Sequence, residues 1–100
     1  MSNNRHMSKY RVFVEGRNVK IALENKVVRH GFFTARFLEA ENEQIAEGKA
    51  KELIMDELRE YILNKNDDMP VLVVEETVRV QTFGDQLIPG KGFTWFEEGN

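Results

Sequence analysis

Glu57 is the residue of this 100-residue chain best placed to do chemistry. It falls between Ala50, Leu53 and Tyr61 on the apolar stripe of a helical pattern. A carboxylate held there is desolvated unless a cation pairs with it, and such groups are often functional. Arg36 and Arg11, both on strand patterns, are the candidate partners. The alternative is that Glu57 sits at the edge of the stripe and reaches water. His30, in Val28-Arg29-His30-Gly31, lies where a bulge could aim it into a site. It has no neighbouring Ser, Cys or carboxylate cluster with which to form a catalytic set.

Three further groupings carry weaker chemistry. Glu75-Glu76 and Glu97-Glu98 are adjacent pairs on strands, so each pair splits between two faces and neither forms a dyad. Glu75 and Glu97 could approach across strands, but no Asp-rich loop supports a cation site there. Pro89-Gly90-Lys91-Gly92 could gather backbone amides into a nest for an anion. It lacks the spacing of a phosphate loop and does not precede a helix. No catalytic residue, metal ligand or cofactor is assigned on these grounds.

The sharper signal is one of binding. Arg11, Phe13, Lys20, Phe32 and Arg36 are read as sharing one sheet face, with Trp95 joining the candidate surface from the last strand. Rings among basic side chains suit single-stranded nucleic acid. Glu15 and Glu24 on the same face oppose that use. The competing reading makes Phe13 and Phe32 the apolar centre of a dimer interface with a charged rim.

The elements that position these residues follow from periodicity. Lys9 to Glu15 alternates apolar and polar, as does Val19 to Glu24, and Gly16-Arg17-Asn18 between them supplies turn residues. These two segments are read as a hairpin. A second turn at Asn25-Lys26 leads into a third strand from about Val27 to Ala40, with Gly31 marking a bulge or bend. Asn42 is a candidate N-cap for a helix running to about Leu63, whose stripe holds Ala46, Ala50, Leu53, Ile54, Leu58, Tyr61 and Ile62. Pro70 keeps Met69 out of helix. Val71-Leu72-Val73-Val74 is a continuous apolar run, which predicts a central strand buried on both faces and continuing to Val80. Thr82 to Lys91 is a loop, and Gly92 to Glu97 is the last strand.

The order is therefore β-β-β-α-β-β. It predicts an α+β fold with a mixed, mostly antiparallel five-stranded sheet and one helix packed on one face. A right-handed crossover makes the fourth strand parallel to the third. One helix covers one face only, and the strand through Phe32-Phe33-Thr34-Ala35-Arg36-Phe37-Leu38 is apolar on both. The second face then needs a partner.

Composition bounds the rest. With 41% apolar and 31% charged residues the chain has the make-up of a folded protein rather than a disordered one. It has no cysteine, which removes disulfides and thiolate chemistry and fits a cytoplasmic location. No run approaches the ~20 apolar residues that span a bilayer. Residues 1–6 read as a flexible or vector-derived tail, given their polarity and the His6-Met7 pair, and residues 7–100 as a single α+β domain. Residues 1–36 carry eight Lys or Arg against two Glu, and residues 37–100 carry six against fifteen Asp or Glu. Such asymmetry either marks a surface for nucleic acid or an acidic partner, or lets the two halves complement each other within one fold or across a dimer.

The stretch Thr34 to Leu58, with Ala-Arg-Phe-Leu-Glu-Ala-Glu-Asn running into Ala46 and Ala50, loosely resembles the strand-into-helix unit of small β-β-β-α domains such as HicB-type antitoxins. The likeness spans about a quarter of the chain, and the acidic, glycine-containing first hairpin of that family is missing, so it implies a fold element and no function.

The expectation is a non-enzymatic interaction or regulatory module that pairs with itself or with another protein. The alternative is a nucleic-acid-binding module that uses the basic N-terminal hairpin face.

Overall fold

The computed structural model describes residues 6–98. Apart from His6, the segment read as a tail lies outside them. Four strands and one helix follow in the order β1 (Ser8–Leu23), β2 (Lys26–Ala40), α1 (Glu43–Leu58), β3 (Val71–Val80) and β4 (Thr94–Glu97). They form an α+β fold whose single sheet has the order β3-β1-β2-β4, with every neighbouring pair antiparallel. Among the described residues no helix is long and apolar enough to cross a membrane.

The expected first hairpin is a single long strand, which is why the sheet has four strands and not five. At Gly16-Arg17-Asn18 the chain does not reverse. The register against β2 slips between Gly16 and Val19, and Asn18 takes a left-handed φ of 61°. This is a bulge, which kinks a strand without ending it. Gly16 is there for a close approach. A Cβ on it would lie 2.0 Å from the Phe32 ring, which crosses the strand from the paired position on β2. The reversal comes later, at Glu24 and Asn25, with φ of 51° and 67°. Two consecutive left-handed residues match the right-handed twist of the flanking strands.

β3 is the second departure. Its apolar run Val71–Val74 was expected at the centre of the sheet, beside the strand that precedes the helix. It lies instead at the edge, antiparallel to β1. β3 does run in the same direction as β2, as a crossover through α1 requires, but β1 lies between them. Glu75 is an extra residue in β3, since Phe13 pairs with Glu76 and Val14 with Val74.

The helix begins as its sequence predicts. Asn42 is extended and its Oδ1 accepts the Ile45 amide at 2.9 Å, which satisfies one of the free donors of the first turn. The helix ends at Leu58, earlier than the apolar pattern suggested. Beyond it the Leu63 amide is taken by the Lys20 carbonyl of β1 at 2.8 Å, which draws the chain out of the helical path. Ala46, Ala50, Ile54 and Leu58 are buried at four-residue spacing. They share one hydrophobic cluster with Tyr10, Val12, Val14 and Val19 of β1 and Phe32, Leu38 and Ala40 of β2. The two alanines bring the helix backbone near the sheet, and Glu47 accepts the Thr77 hydroxyl of β3 at 2.6 Å.

Candidate interaction surface

Strand alternation and the register divide the sheet into two faces. The helix-side face carries Tyr10, Val12, Val14 and Gly16 on β1. It continues through Leu38, Arg36, Thr34 and Phe32 on β2, which stand opposite them. The other face carries Lys9, Arg11, Phe13 and Glu15 on β1, with Phe37, Ala35 and Phe33 on β2. It extends to Val73, Val78 and Val80 on β3 and to Thr94 and Phe96 on β4.

The expected shared face of Arg11, Phe13, Lys20, Phe32 and Arg36 therefore does not exist as one surface. Arg11 and Phe13 are on the open face. The Arg11 guanidinium lies 5.6 Å from the Phe13 ring centre and donates to Glu76 at 3.1 Å. Phe32 and Arg36 point to the helix side and are buried. Lys20 lies past the bulge and pairs with Asp68 in the connection between α1 and β3. There it helps seat that connection, where Asn64 accepts the Lys20 amide at 2.9 Å and donates to the Asn18 carbonyl at 2.8 Å. Asp68 is held below the usual carboxylate range by the hydrogen bond from Lys20, and next by that from Asn18.

Glu57 does find a cation, and it is Arg36. Arg36 Nη2 lies 2.9 Å from Glu57 Oε1, and the Gly92 amide donates to Oε2 at 2.8 Å. Arg36 is 2% exposed. It spends its remaining donors on Thr34 Oγ1 at 3.2 Å and on the carbonyls of Gly90 and Gly92, both at 3.0 Å. The pair is a clasp: it fastens the loop after β3 between sheet and helix. It also answers the question of an anion nest at Pro89-Gly90-Lys91-Gly92. The Gly92 amide serves the chain's own carboxylate. No buried side-chain nitrogen or oxygen among the described residues lacks a partner, so this clasp offers no unsatisfied group for a reaction.

Trp95 stands on the helix-side face of β4, 36% exposed. It packs with Phe93 at 5.1 Å, Phe32 at 5.6 Å, His30 at 6.0 Å and Tyr61 at 6.4 Å between ring centres. Through Phe32 and Phe93 the cluster joins the core shared with α1. His30 has its Nδ1 3.0 Å from the Val28 carbonyl and meets no catalytic partner. Glu75 and Glu97 lie on strands at opposite edges of the sheet and do not approach. Among the described residues no three His, Asp or Glu side chains are grouped to hold a metal ion.

The open face is built around aromatic rings. Phe13 and Phe33 stack in parallel, 5.7 Å apart and 3° from coplanar, and Phe33 continues to Phe96 at 5.5 Å. Gly31 makes room for Phe96 as Gly16 does for Phe32, since a Cβ on Gly31 would stand 2.3 Å from that ring. Around the rings Val71, Val73 and Val78 of β3 are exposed, Val73 at 44%. The loop between β3 and β4 rises over one end only, where Phe83 packs on Phe37 at 6.2 Å and Lys9 lies over Phe83. Between that loop and the sheet runs a groove of about 600 Å3, lined among others by Arg11, Phe33, Phe37, Leu87 and Lys91. At the other end Glu15 and Glu75 stand side by side. The hydrogen bond that the protonated Glu75 carboxyl donates to Glu15, with burial and the like charge behind it, holds Glu75 above its usual range.

Sequence patterning missed Phe33, Phe96 and the exposed valines of β3 as members of this surface. Phe33 was legible through its alternation with Ala35 and Phe37. What was lacking was the register that sets Phe33, and not Phe32, beside Phe13. No protein-family profile matches the chain, and no curated protein or solved structure is found similar to it.

Proposed function

We propose that this chain is a small, non-enzymatic interaction module that docks through its open sheet face, acting as a homodimer. One observation carries the reading. Phe33, Val71, Val73 and Val78 are 36–52% exposed on a single uncovered face. β3 opens on the continuous apolar run Val71–Val74, the composition of a strand buried on both sides, yet it lies at an edge with Val71 and Val73 bare. A contiguous apolar patch with a charged rim marks an interaction site. A cysteine-free chain suits the cytoplasm, and we assign it there.

The test is the mass in solution by light scattering across a concentration series, for the native chain and for Phe33→Lys. The expected result is a dimer for the first and a folded monomer for the second. A native monomer at high micromolar concentration, or a dimer untouched by Phe33→Lys, would defeat the proposal.

A second reading rests on the Arg11 guanidinium over the Phe13 ring, a pairing that also serves single-stranded nucleic acid. Glu15, Glu75 and Glu76 on the same face oppose phosphate. Oligonucleotide binding at low salt that is lost with Arg11→Glu would favour this reading over the first.

A further inference from the structure

Taking the open-face dimer as its premise, the geometry points to one arrangement of the two copies: face to face, strands antiparallel, with Phe13 near the two-fold axis and Arg11 of each copy facing the Glu15–Glu75 carboxylates of the other.

Charge along the strands favours this arrangement. Along β1 the outward residues of this face run Lys9, Arg11, Phe13, Glu15. Lys91, on the groove wall, adds to the cationic end. Glu75, the extra residue of β3 two positions on from the Val73 that pairs with Glu15, adds to the anionic end. Each end is tempered by a countercharge, Glu39 and Glu76 at the first and Arg17 at the second, where Arg17 bonds Glu15 at 2.7 Å. Phe13 is two residues from Arg11 and two from Glu15. A two-fold axis lying in the interface and crossing the strands at Phe13 therefore brings Arg11 over Glu15 of the partner subunit, twice. An axis along the strands would set cation over cation and carboxylate over carboxylate, which costs affinity.

The shape of the face favours it as well. The loop carrying Phe83 raises the Lys9–Phe37 end, while the Val71–Val73 end is bare. The antiparallel arrangement lays the raised end of one copy on the bare end of the other. It also turns the Phe37 side of each groove toward Phe33 of the partner subunit. The parallel arrangement opposes loop to loop and leaves the valines uncovered.

The face is also large enough. Three strands that share roughly nine residues of this face and the four-residue β4, about 4.8 Å apart and at about 3.3 Å per residue, give a face on the order of 500 Å2 in projection. Its accessible area is larger once side chains stand up from it, which brings it near the ~800 Å2 per partner of a standard interface. Edge-to-edge pairing of β3 is disfavoured, because its bulge sets the extra residue Glu75 beside Glu76 in mid-edge, a device that blocks strand addition.

The experiment is a charge swap read by sedimentation of the full chain. Arg11→Glu alone and Glu75→Arg alone should each weaken dimerisation by roughly tenfold or more. Mixing the two variants restores attraction at both contacts, so the mixture should form a heterodimer about as tightly as the native chain forms its homodimer. Circular dichroism on each variant confirms folding. If Phe33→Lys abolishes the dimer while the single reversals leave affinity unchanged, or the mixture fails to recover it, the face stands and the antiparallel arrangement is wrong. If the native chain is monomeric, the premise itself fails.

Discussion

The Glu57 carboxylate holds Arg36 on one oxygen and the Gly92 amide on the other, at 2.9 and 2.8 Å. One helix residue thereby joins the sheet to the loop that shapes the groove of the open face. The clasp lies on the helix side, yet it fixes Gly90 to Gly92, and Lys91 between them stands on the groove wall. It thus acts on the docking surface from behind.

Removing either partner of this clasp strands the other, so the two losses should not add. Arg36→Met leaves Glu57 without its cation and the Gly90 and Gly92 carbonyls without donors, and should lower stability by about 3 kcal/mol. Glu57→Ala strands the buried Arg36 guanidinium but leaves its bonds to Thr34, Gly90 and Gly92 in place, so it should cost somewhat less, roughly 2 kcal/mol. The double variant Arg36→Met with Glu57→Leu should cost less than the sum. Urea unfolding measures all three. An Arg36→Met variant as stable as the native chain would show that the clasp contributes nothing. Glu57→Ala should also speed hydrogen exchange at the Gly92 amide while leaving the amides of Ala50 and Ile54 protected.

The contact between Gly16 and Phe32 predicts a second effect. A Cβ on Gly16 would sit 2.0 Å from the Phe32 ring, so the ring or the strand must shift. Overpacking of this kind costs about 1–3 kcal/mol, and Gly16→Ala should fall in that range. Pairing it with Phe32→Leu should relieve part of the clash, so that the two substitutions are non-additive in the favourable direction. Strict additivity in thermal or urea unfolding would argue against the contact.

The same pair shows where local sequence stops informing. Gly16-Arg17-Asn18 has turn composition, and only the Phe32 ring opposite gives Gly16 a different purpose. The Asn42 cap and the Ala46–Leu58 stripe were legible because both depend on neighbours within two turns of helix. The strand ranges of β3 and β4 were legible to within two residues for the same reason. The faces were not, because a slip of one residue turns every side chain over. Pairing Phe13 with Phe32 instead of Phe33 moved the aromatic centre of the surface to the buried side. Two arginines were candidates for Glu57, and strand parity chose between them: Arg36 shares the helix side with Val12, and Arg11 does not. The place of β3 at the edge was invisible to composition, since Val71–Val74 reads as a strand covered on both sides. That mismatch is itself what supports a partner on the open face.

The β1–β2 turn offers a stabilising test. Glu24 and Asn25 both have left-handed φ, a conformation costing a residue with a Cβ about 1 kcal/mol and favoured in Asn-Gly turns. Glu24→Asn together with Asn25→Gly should therefore raise stability by about 1 kcal/mol, read as a higher melting temperature. The two positions are exposed and distant from the open face's aromatic centre, so dimer affinity should not change. A lower melting temperature would mean that the chain reverses elsewhere.

Two carboxylates of opposite shift make the pH dependence a signed test. Asp68 is lowered, first by its hydrogen bond from Lys20, so its contribution is stabilising. That contribution is complete above its ordinary value and is lost as pH falls through the lower, folded value. Asp68→Asn should accordingly be less stable than the native chain near neutrality, and the two should converge in acid. Glu75 is raised, first by the hydrogen bond its protonated form donates to Glu15, so its charged form opposes folding. The penalty is full above the raised folded value and fades as pH falls to the ordinary one, below which both states are protonated. Glu75→Gln should thus be more stable than the native chain near neutrality, with the gain vanishing in mild acid and shrinking in high salt. Unfolding curves collected from neutral to acidic pH read both differences in one series. Differences of the same sign, or a Glu75→Gln gain that grows in acid, would contradict the placement of Glu75 beside Glu15.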